Sequence, residues 1–361
     1  MIYDQLGRVF KDIKFISGKE VDMYTDKVVL VTGGTGSIGS EIVRKILGSN
    51  PKALRIYSRD ESKQFEMQQE LKEYSNVRYL IGDIRDQKRL NYAMEGVDYI
   101  FHAAALKHVP SCEYNPMEAV KTNVVGVQNV IEAAIEHNVK KMVAISTDKV
   151  VNPTNTMGAT KLLSERLISA ANYYKGSRGT IFSCVRFGNV MGSRGSVIPL
   201  FRDQIAKGVP VTITHAKMTR FMMSIPQAAQ LVLDAAEHSQ GGEVFVLKMP
   251  ILKITDLAQS LIESYNEATG TSTSSEIIET GIRPGEKLYE ELMTLEESER
   301  AFENDKMYII PSFFNPKEQY YPGFSPAKHQ EYSSFTAPRL NLSEIASLIN
   351  DYSLGFKRRG I

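Results

Sequence analysis

The sequence of 361 residues has no tryptophan and only two cysteines, Cys112 and Cys184. Two cysteines cannot form the disulfide framework of a small secreted domain, so we expect packed thiols and a reducing, cytoplasmic setting. The 43 basic and 42 acidic residues leave a net charge of +1, which gives no general attraction to nucleic acid or to a membrane. No run reaches the ~18 apolar residues of a membrane span. The six histidines lack the spacing of metal ligands, so no metal is predicted.

A glycine-rich turn follows the first strongly apolar segment. Residues 27–32 form a continuous apolar run typical of a buried parallel strand, and residues 40–47 have helical periodicity. A turn between strand and helix lets the backbone approach a pyrophosphate at the helix N-terminus. The alternative is an ordinary tight turn. The predicted cofactor-binding residues here are Gly33, Gly34, Thr35, Gly36, Ser37, Ile38 and Gly39.

The end of the second strand indicates which dinucleotide binds. An NAD enzyme usually ends this strand with a carboxylate for the ribose 2′-hydroxyl. Here Ser58 and Arg59 come first, with Lys63 one turn later. A guanidinium can pair with a 2′-phosphate, so we predict NADP rather than NAD. The alternative is a solvated helix start with Asp60 as its N-cap.

Strands and helices alternate along the first half of the chain. This pattern predicts an α/β fold, a Rossmann-like doubly wound parallel sheet with a smaller mixed substrate lobe. Further strands are expected at residues 77–84, 97–105, 141–146 and 180–187. The predicted organisation is an N-terminal extension (1–26), an NADP-binding domain whose sheet is completed by later segments (27–196), a mainly substrate-binding lobe (197–310), and a C-terminal tail packed on the body (311–361).

The stretch from Ile145 to Lys161 carries the candidate chemistry. Asp148 and Lys149 follow the fifth strand, and Lys161 comes four residues after Met157 on a helix. Many nicotinamide enzymes place a tyrosine at the position of Met157, where the i,i+4 lysine can lower its pKa and hold the nicotinamide ribose. Without the tyrosine, the Asp148–Lys149 pair must do more of the acid–base work. The alternative is a solvated polar loop.

Other candidates lie where strands end, because ligands bind at the carboxyl edge of open α/β sheets. Asp83 is placed to meet the adenine, and the small residues Ala103 and Ala104 suit close passage under the cofactor ribose. The histidines His102 and His108 are interpreted as structural. The predicted substrate contacts from this reasoning are Lys107, Asn189, Arg194 and Arg283, with surface solvation as the alternative for both arginines.

The combined motifs resemble the UDP-N-acetylglucosamine 4,6-dehydratases of the extended short-chain dehydrogenase superfamily. The resemblance covers roughly residues 27–310 and implies UDP-GlcNAc or a close UDP-HexNAc as substrate, a tightly held nicotinamide cofactor and a cytoplasmic homo-oligomer. The motifs are Thr32-Gly-Gly-Thr-Gly-Ser-Ile-Gly39, Tyr57-Ser-Arg-Asp60, Gly82-Asp-Ile-Arg-Asp86, His102-Ala-Ala-Ala-Leu-Lys-His-Val-Pro110, Ser146-Thr-Asp-Lys149, Arg186-Phe-Gly-Asn-Val190, Gly195-Ser-Val-Ile-Pro199, Met218-Thr-Arg-Phe221 and Gly281-Ile-Arg-Pro-Gly-Glu-Lys287.

The resemblance also implies roles. Lys149 removes the sugar C5 proton, Asp148 protonates the departing C6 hydroxyl, Thr147 hydrogen-bonds near the C4 oxygen, and Lys161 holds the nicotinamide ribose. Met157 departs from the usual tyrosine, which leaves the C4-hydroxyl base unidentified. Lys149 as a base needs a lowered pKa. Further implied contacts are Ile84, Ser146 and Val190 for the cofactor, and Val197, Thr214 and Glu286 for the substrate.

Several outcomes remain open. A 5-inverting dehydratase, for pseudaminic-acid-type or other surface polysaccharide synthesis, is favoured by Arg59 and the short N-terminus. A configuration-retaining enzyme is favoured by residues 152–161 and 286–292. The change at Met157 also allows hydride return to C4 and a 5,6-ene sugar. The rivals are a 4-epimerase, which usually keeps the tyrosine, and a catalytically silent NADP-binding regulator.

Overall fold

The computed structural model describes residues 23–272, 275–313, 320–352 and 354–356. The predicted N-terminal extension lies outside this part of the chain as far as residue 22. Within it, no helix is both long and apolar enough to cross a bilayer, and no group of His, Cys, Asp and Glu is placed to hold a metal ion.

The largest sheet of the described residues has ten strands in the order β16-β14-β15-β10-β6-β5-β4-β1-β2-β3. Strands β3, β2, β1, β4, β5, β6 and β10 pair in parallel, and β15, β14 and β16 continue the sheet beyond β10 with antiparallel pairing. The strand bounds are β1 Val28–Thr32, β2 Ala53–Ser58, β3 Val77–Ile81, β4 Tyr99–His102, β5 Lys141–Ile145, β6 Ile181–Arg186, β7 Asn189–Val190, β8 Val211–Ile213, β9 Thr219–Met223, β10 Val244–Leu247, β11 Ile251–Lys253, β12 Ile277–Glu279, β13 Glu291–Met293, β14 Phe302–Glu303, β15 Met307–Ile310, β16 Ser325–Pro326 and β17 Tyr332–Ser333.

Helices cover the two faces of this sheet, which confirms the predicted Rossmann-like doubly wound fold. They are α1 Ser37–Leu47, α2 Glu61–Glu70, α3 Gln87–Met94, α4 Val109–Tyr114, α5 Pro116–Val120, α6 Gly126–Glu136, α7 Thr156–Tyr174, α8 Val197–Ala206, α9 Ile225–His238, α10 Ile254–Thr269, α11 Leu295–Ser298 and α12 Leu342–Asp351. Because side chains alternate along a strand, Val29 and Val31 of β1 pack with α1 and α9 on one face. Leu30 packs on the other face with α3 and α6.

Smaller sheets lie beside the main one. Because of them, strands and helices no longer alternate regularly in the sequence after residue 196. They pair β7 with β9 and β11, β8 with β12, and β13 with β17. A separate apolar cluster joins α8, α10 and α12 around Phe201, Leu257 and Ile345. Two predicted strands are shorter than expected: β3 ends at Ile81 rather than Ile84, and β4 covers only Tyr99–His102.

The sequence pattern over residues 119–137 predicts one long helix, in which the mid-helix Asn123 would need a buried polar role. The structure interrupts this helix with a π-helical turn, Lys121–Val125. Asn123 lies in this turn and is fully buried. Its side chain accepts a hydrogen bond from the backbone N–H of Leu106 at 2.8 Å and donates to the carbonyl of Leu106 and to Thr160 Oγ1. The widened turn therefore joins the segment after β4 to α7, and the expected buried polar role of Asn123 is confirmed.

A buried ion triad joins α7, β6 and α11. Arg186 donates paired hydrogen bonds to Glu165, at 2.8–3.2 Å, and to Glu297, at 2.8 and 2.9 Å. Burial alone would lower the pKa of Arg186, but the two carboxylates outweigh it and raise that pKa. Removing the arginine would leave two carboxylates buried without a counter-charge.

We expect Arg186→Leu to lower the free energy of unfolding by about 3–5 kcal/mol, the usual cost of breaking a buried charge group. Denaturant unfolding followed by circular dichroism measures it. The control is Arg44→Leu, because Arg44 pairs with Glu70 on the surface and should lose less than about 1 kcal/mol. An equal loss of unfolding free energy in the two variants would show that the buried triad stabilises the fold no more than a surface ion pair does.

Candidate active site

The glycine-rich turn brings the backbone of two strands together at the carboxyl edge of the sheet. Gly33 has a φ of +67°, and a Cβ there would lie 2.7 Å from the backbone nitrogen of Ala104. A Cβ on Gly39 would overlap the carbonyl oxygen of Gly33. Only glycine fits these contacts, so the turn leaves the N-terminus of α1 open to a ligand, as a dinucleotide site requires.

Arg194 lies over this turn. Its guanidinium donates to the carbonyl of Thr35, and its backbone N–H donates to Ser37 Oγ at 3.3 Å. Thr35 Oγ1 in turn shares a hydrogen bond of 2.9 Å with Ser58 Oγ. Arg194, predicted as a substrate contact, is therefore placed beside the predicted cofactor residues.

Two interpretations of the end of β2 were possible from the sequence: a site for a 2′-phosphate at Arg59, and a helix start capped by Asp60. Asp60 accepts from the backbone of Lys63 at 3.0 Å and caps α2. Arg59 is largely exposed and lies 3.6 Å from Asp83 Oδ2. Burial would raise the pKa of Asp83, but hydrogen bonds from Arg85 and the charges of Arg85 and Arg59 outweigh it and lower that pKa. One side of the Arg59 guanidinium therefore faces the Asp83 carboxylate, and the other side is exposed and accessible to a ligand.

The nicotinamide end of the predicted cofactor site contains a buried lysine and an unpaired hydroxyl. Lys161 Nζ donates to the carbonyl of Ile145 at 2.5 Å, and burial lowers its pKa. The buried Ser146 Oγ has no hydrogen-bond partner in the part of the chain that the structure describes. Buried polar groups are normally paired, so this end of the site fits a polar ligand. His102 is structural as expected: it bonds to Thr32 Oγ1 at 2.7 Å, and burial lowers its pKa to about 3.

Asp148 and Lys149 form a tight pair in a short 3₁₀ turn, Asp148–Val150. Asp148 is fully buried, and its Oδ1 accepts from both Thr147 Oγ1 and Lys149 Nζ at 2.8 Å. Its other oxygen, Oδ2, has no hydrogen-bond partner within the described ranges. Thr147 and Lys149 are thus both hydrogen-bonded to the carboxylate of Asp148, and the three residues with implied catalytic roles lie together.

A second buried carboxylate faces Lys149. Glu290 Oε1 lies 3.7 Å from Lys149 Nζ and 3.8 Å from Arg220 Nε, and its Oε2 has no hydrogen-bond partner among the residues that the structure describes. Burial would lower the pKa of Lys149, but the charges of Asp148 and Glu290 and the Asp148 hydrogen bond outweigh it and raise that pKa. This direction is opposite to the lowered pKa that a base needs, so Asp148 and Glu290 favour the protonated form of Lys149.

A cavity of about 170 Å³ opens next to this charge group. Its walls include the predicted substrate residues Asn189, Arg283 and Glu286, which come from two distant parts of the chain. Glu286 Oε1 accepts from Thr214 Oγ1 at 3.4 Å and lies 3.8 Å from Arg220. Other lining residues are Val109, Pro110, Lys149, Thr154, Asn155, Arg220, Gly285, Lys287 and Glu290.

The remaining predicted residues lie around this edge of the sheet. Met157 is buried in a small apolar cluster with Cys112 and Ala119, so it offers no group that carries a proton. Lys107 is exposed at the end of β4, and its pKa is lowered by burial of part of the side chain and by the charges of Arg194 and Lys149. Ile84 and Val190 are buried apolar residues, and Val197 begins α8.

Sequence reasoning did not select Glu290, Arg220 or Lys287. Arg220 lies within the motif Met218–Phe221, and the two others lie in the segment 286–292 that was compared between enzyme groups. The motifs therefore contained the signal. Charged residues in those motifs become candidates once the fold places them in the cavity.

The fold and the site together define a nucleotide-binding enzyme of the short-chain dehydrogenase type. The pattern of the polysaccharide biosynthesis protein family matches residues 29–312, and the chain belongs to this family. The resemblance to the UDP-N-acetylglucosamine 4,6-dehydratases is confirmed by an inverting enzyme of that name from Campylobacter jejuni. It is 47% identical over 290 residues, 80% of this chain and 84% of that protein.

Other similar proteins have different descriptions. An uncharacterized membrane protein of Methanocaldococcus jannaschii is 55% identical over 80% of this chain and 87% of that protein. A UDP-glucose 4-epimerase of Rickettsia rickettsii is 43% identical over 91% of this chain and 96% of that protein. The crystal structure of Pen from Bacillus thuringiensis superposes with a TM-score of 0.87 at 48% identity, covering 92% of this chain and 99% of that one. The family thus contains both nucleotide-sugar dehydratases and epimerases.

We expect Gly39→Ala to weaken dinucleotide binding by about tenfold or more, because the added methyl forces the turn apart. Fluorescence titration with NADP and NAD measures it. Gly179→Ala is the control, since a Cβ there meets nothing within 4 Å. Unchanged affinity in a folded Gly39→Ala variant would contradict the role of the turn.

Proposed function

We propose that the chain is a UDP-N-acetylglucosamine 4,6-dehydratase that inverts C5. The main support is the Asp148–Lys149 pair beside a cavity that also contains Arg283. A 4,6-dehydratase needs an acid for the C6 hydroxyl and a base for C5, whereas an epimerase needs neither. The epimerase relative favours the second candidate, a 4-epimerase, but the Met157 position has no proton-carrying group of the kind that epimerases usually use.

The chain's own residues have separate tasks in this proposal. Asp148, buried with one free oxygen, donates a proton to the departing C6 hydroxyl. Lys149, as the free amine, removes the C5 proton after C4 has been oxidised to a ketone, and Thr147 hydrogen-bonds near the C4 oxygen. Proton transfer by positioned groups of this kind contributes typically 10²–10⁴-fold to a rate. The base for the C4 hydroxyl remains to be assigned, with Asp148 or a bound water as candidates.

The cofactor in this proposal is NADP, held by the glycine-rich turn and by Lys161. When bound, it supplies a hydride acceptor for C4 and a hydride donor for C6. Arg59 pairs with the 2′-phosphate beside Ser58 and Lys63, because its guanidinium is exposed on one side. The tight turn and the unpaired Ser146 hydroxyl are the features that fit this group.

The two lobes divide the binding in this proposal. Residues 27–196, with the later strands of the sheet, hold the cofactor, and residues 197–310 hold most of the UDP-sugar. Arg283 binds the diphosphate, since it lies on the cavity wall with Lys287 and Arg220. The product, a UDP-4-keto-6-deoxy-hexosamine, suits cytoplasmic synthesis of pseudaminic-acid-type or other surface polysaccharide sugars by a homo-oligomer.

Incubation with UDP-GlcNAc should give a product lighter by one water, with deuterium at C5 when the reaction runs in D₂O. Mass spectrometry and NMR measure both, and the ring coupling constants report the C5 configuration. Lys149→Met should lower the rate by ~10²–10⁴-fold while leaving cofactor binding intact. A product of unchanged mass with inverted C4 would establish the epimerase, and no turnover would establish the silent regulator. Loss of water with the C5 configuration retained would contradict only the proposed inversion. A 5,6-ene product would contradict only the return of hydride to C6.

Arg59→Asp should shift cofactor preference from NADP toward NAD. The introduced carboxylate repels the 2′-phosphate and accepts from the 2′-hydroxyl of NAD. The dissociation constants of both dinucleotides for parent and variant are compared by titration. The control is Arg78→Asp, which changes charge equally at an arginine whose guanidinium bonds only to the backbone carbonyls of Ser75 and Val77. Equal affinity of the parent for NAD and NADP would remove Arg59 from the cofactor site.

A further inference from the structure

We propose that Glu290 governs when Lys149 carries its proton, and therefore when Lys149 can act as a base. Glu290 lies just before β13, 141 positions after Lys149 in the sequence, and reaches it across the wall of the cavity. This inference rests on the proposed function only for its consequence on the rate. The interaction between the two side chains can be measured without a substrate.

The position of Glu290 is one that a purely structural carboxylate rarely occupies. Its side chain is 4% exposed, yet Oε2 has no partner among the described residues. Buried carboxylates are costly unless they are paired and hydrogen-bonded. Oε1 lies between two cations, Lys149 at 3.7 Å and Arg220 at 3.8 Å, and neither distance is a hydrogen bond. The carboxylate therefore acts on Lys149 mainly through its charge.

Glu290 is held in this position by its own backbone. Its N–H donates to Ser334 Oγ at 2.9 Å, and the N–H of Ser334 donates to its carbonyl at 2.8 Å. Arg220 is fixed in turn by donating to the carbonyls of Thr219, Lys287 and Leu288. The distance between Glu290 and Lys149 is thus set by the packing of β13 and β17.

The charged groups around the pair are few. Lys149 is faced by Asp148, Glu290, Arg220 and Lys107, and Glu290 is faced by Lys149, Asp148, Arg220 and Lys287. Burial raises the pKa of Glu290, the Lys149 charge lowers it, and the net direction is upward. In the ionised form, Glu290 stabilises the Lys149 ammonium together with Asp148. Lys149 then becomes a free amine only at a higher pH than it would beside Asp148 alone.

The predicted consequence has a definite sign. A base must be unprotonated, so kcat/KM rises with pH through the pKa of Lys149 in the free enzyme. An anionic Glu290 raises that pKa, so its removal should move the rising limb to lower pH. An opposite charge within about 4–6 Å changes a pKa by about 1–3 units, and we expect the lower end, about one unit, because Asp148 remains.

The test uses Glu290→Gln, which removes the charge and keeps the shape, in the full chain. The pKa of Lys149 is measured by ¹⁵N NMR of the lysine side chains, with the signal assigned from its loss in Lys149→Arg. The pH profile of kcat/KM is measured in parallel. We expect both to move down by about one pH unit, which makes the variant up to about tenfold faster than the parent below the limb. Glu290→Asp, which keeps the charge, should move either value much less.

Glu291→Gln is the matched control, since the neighbouring carboxylate pairs with Lys287 at 3.6 Å and accepts from Asn152 at 3.0 Å. It should leave the Lys149 pKa where it is. An unmoved Lys149 pKa in folded Glu290→Gln overturns the proposal, as does an equal shift in Glu291→Gln. A shifted pKa in a protein that does not dehydrate UDP-GlcNAc upholds the interaction and rejects the proposed function instead.

Discussion

The site depends on one contact between two segments far apart in the chain. The loop after β5 is hydrogen-bonded to the segment before β13: Thr154 and Asn155 both donate to the carbonyl of Gly285, at 3.1 and 2.9 Å, and Lys287 Nζ donates to the carbonyl of Val151 at 2.8 Å. Gly285 has a φ of +77°, which turns this carbonyl toward the loop. This contact brings the segment that carries Arg283 and Glu286 to the same cavity as Lys149.

Once the two segments are joined, the charges around Lys149 follow from packing. Asp148 follows the end of a central strand and is fully buried. Bulk water therefore does not replace Lys149 as the hydrogen-bond partner of its carboxylate. Glu290 and Arg220 come from the opposite wall and add one charge of each sign. Local charges in a partly buried site are screened less than on the surface, so one carboxylate more or less changes the chemistry of Lys149 directly.

Features that depend on neighbouring residues were predicted well from the sequence. The glycine-rich turn and the apolar strands are local patterns that appear in the expected regions of the chain, and the N-cap at Asp60, which was the alternative to a 2′-phosphate site, is formed. The strand ends at Ile81 and His102 and the π-helical turn at Asn123 were not predicted. In the π-helical turn, Asn123 bonds to Leu106 and Thr160, which lie 17 and 37 positions away in the sequence.

The sequence by itself determined the fold class and the pairing of Asp148 with Lys149, because periodicity and adjacency are local properties of the chain. The family followed from the resemblance of its motifs to those of known enzymes. The tertiary structure alone decided the surroundings of that pair. Arg194 was predicted as a substrate contact from its position after a strand, and the fold places its guanidinium on the turn at Thr35. Glu290 was not selected from the sequence, yet its carboxylate faces Lys149. The distance between charges separated by more than a hundred residues follows from how strands and loops pack, and no local pattern encodes it.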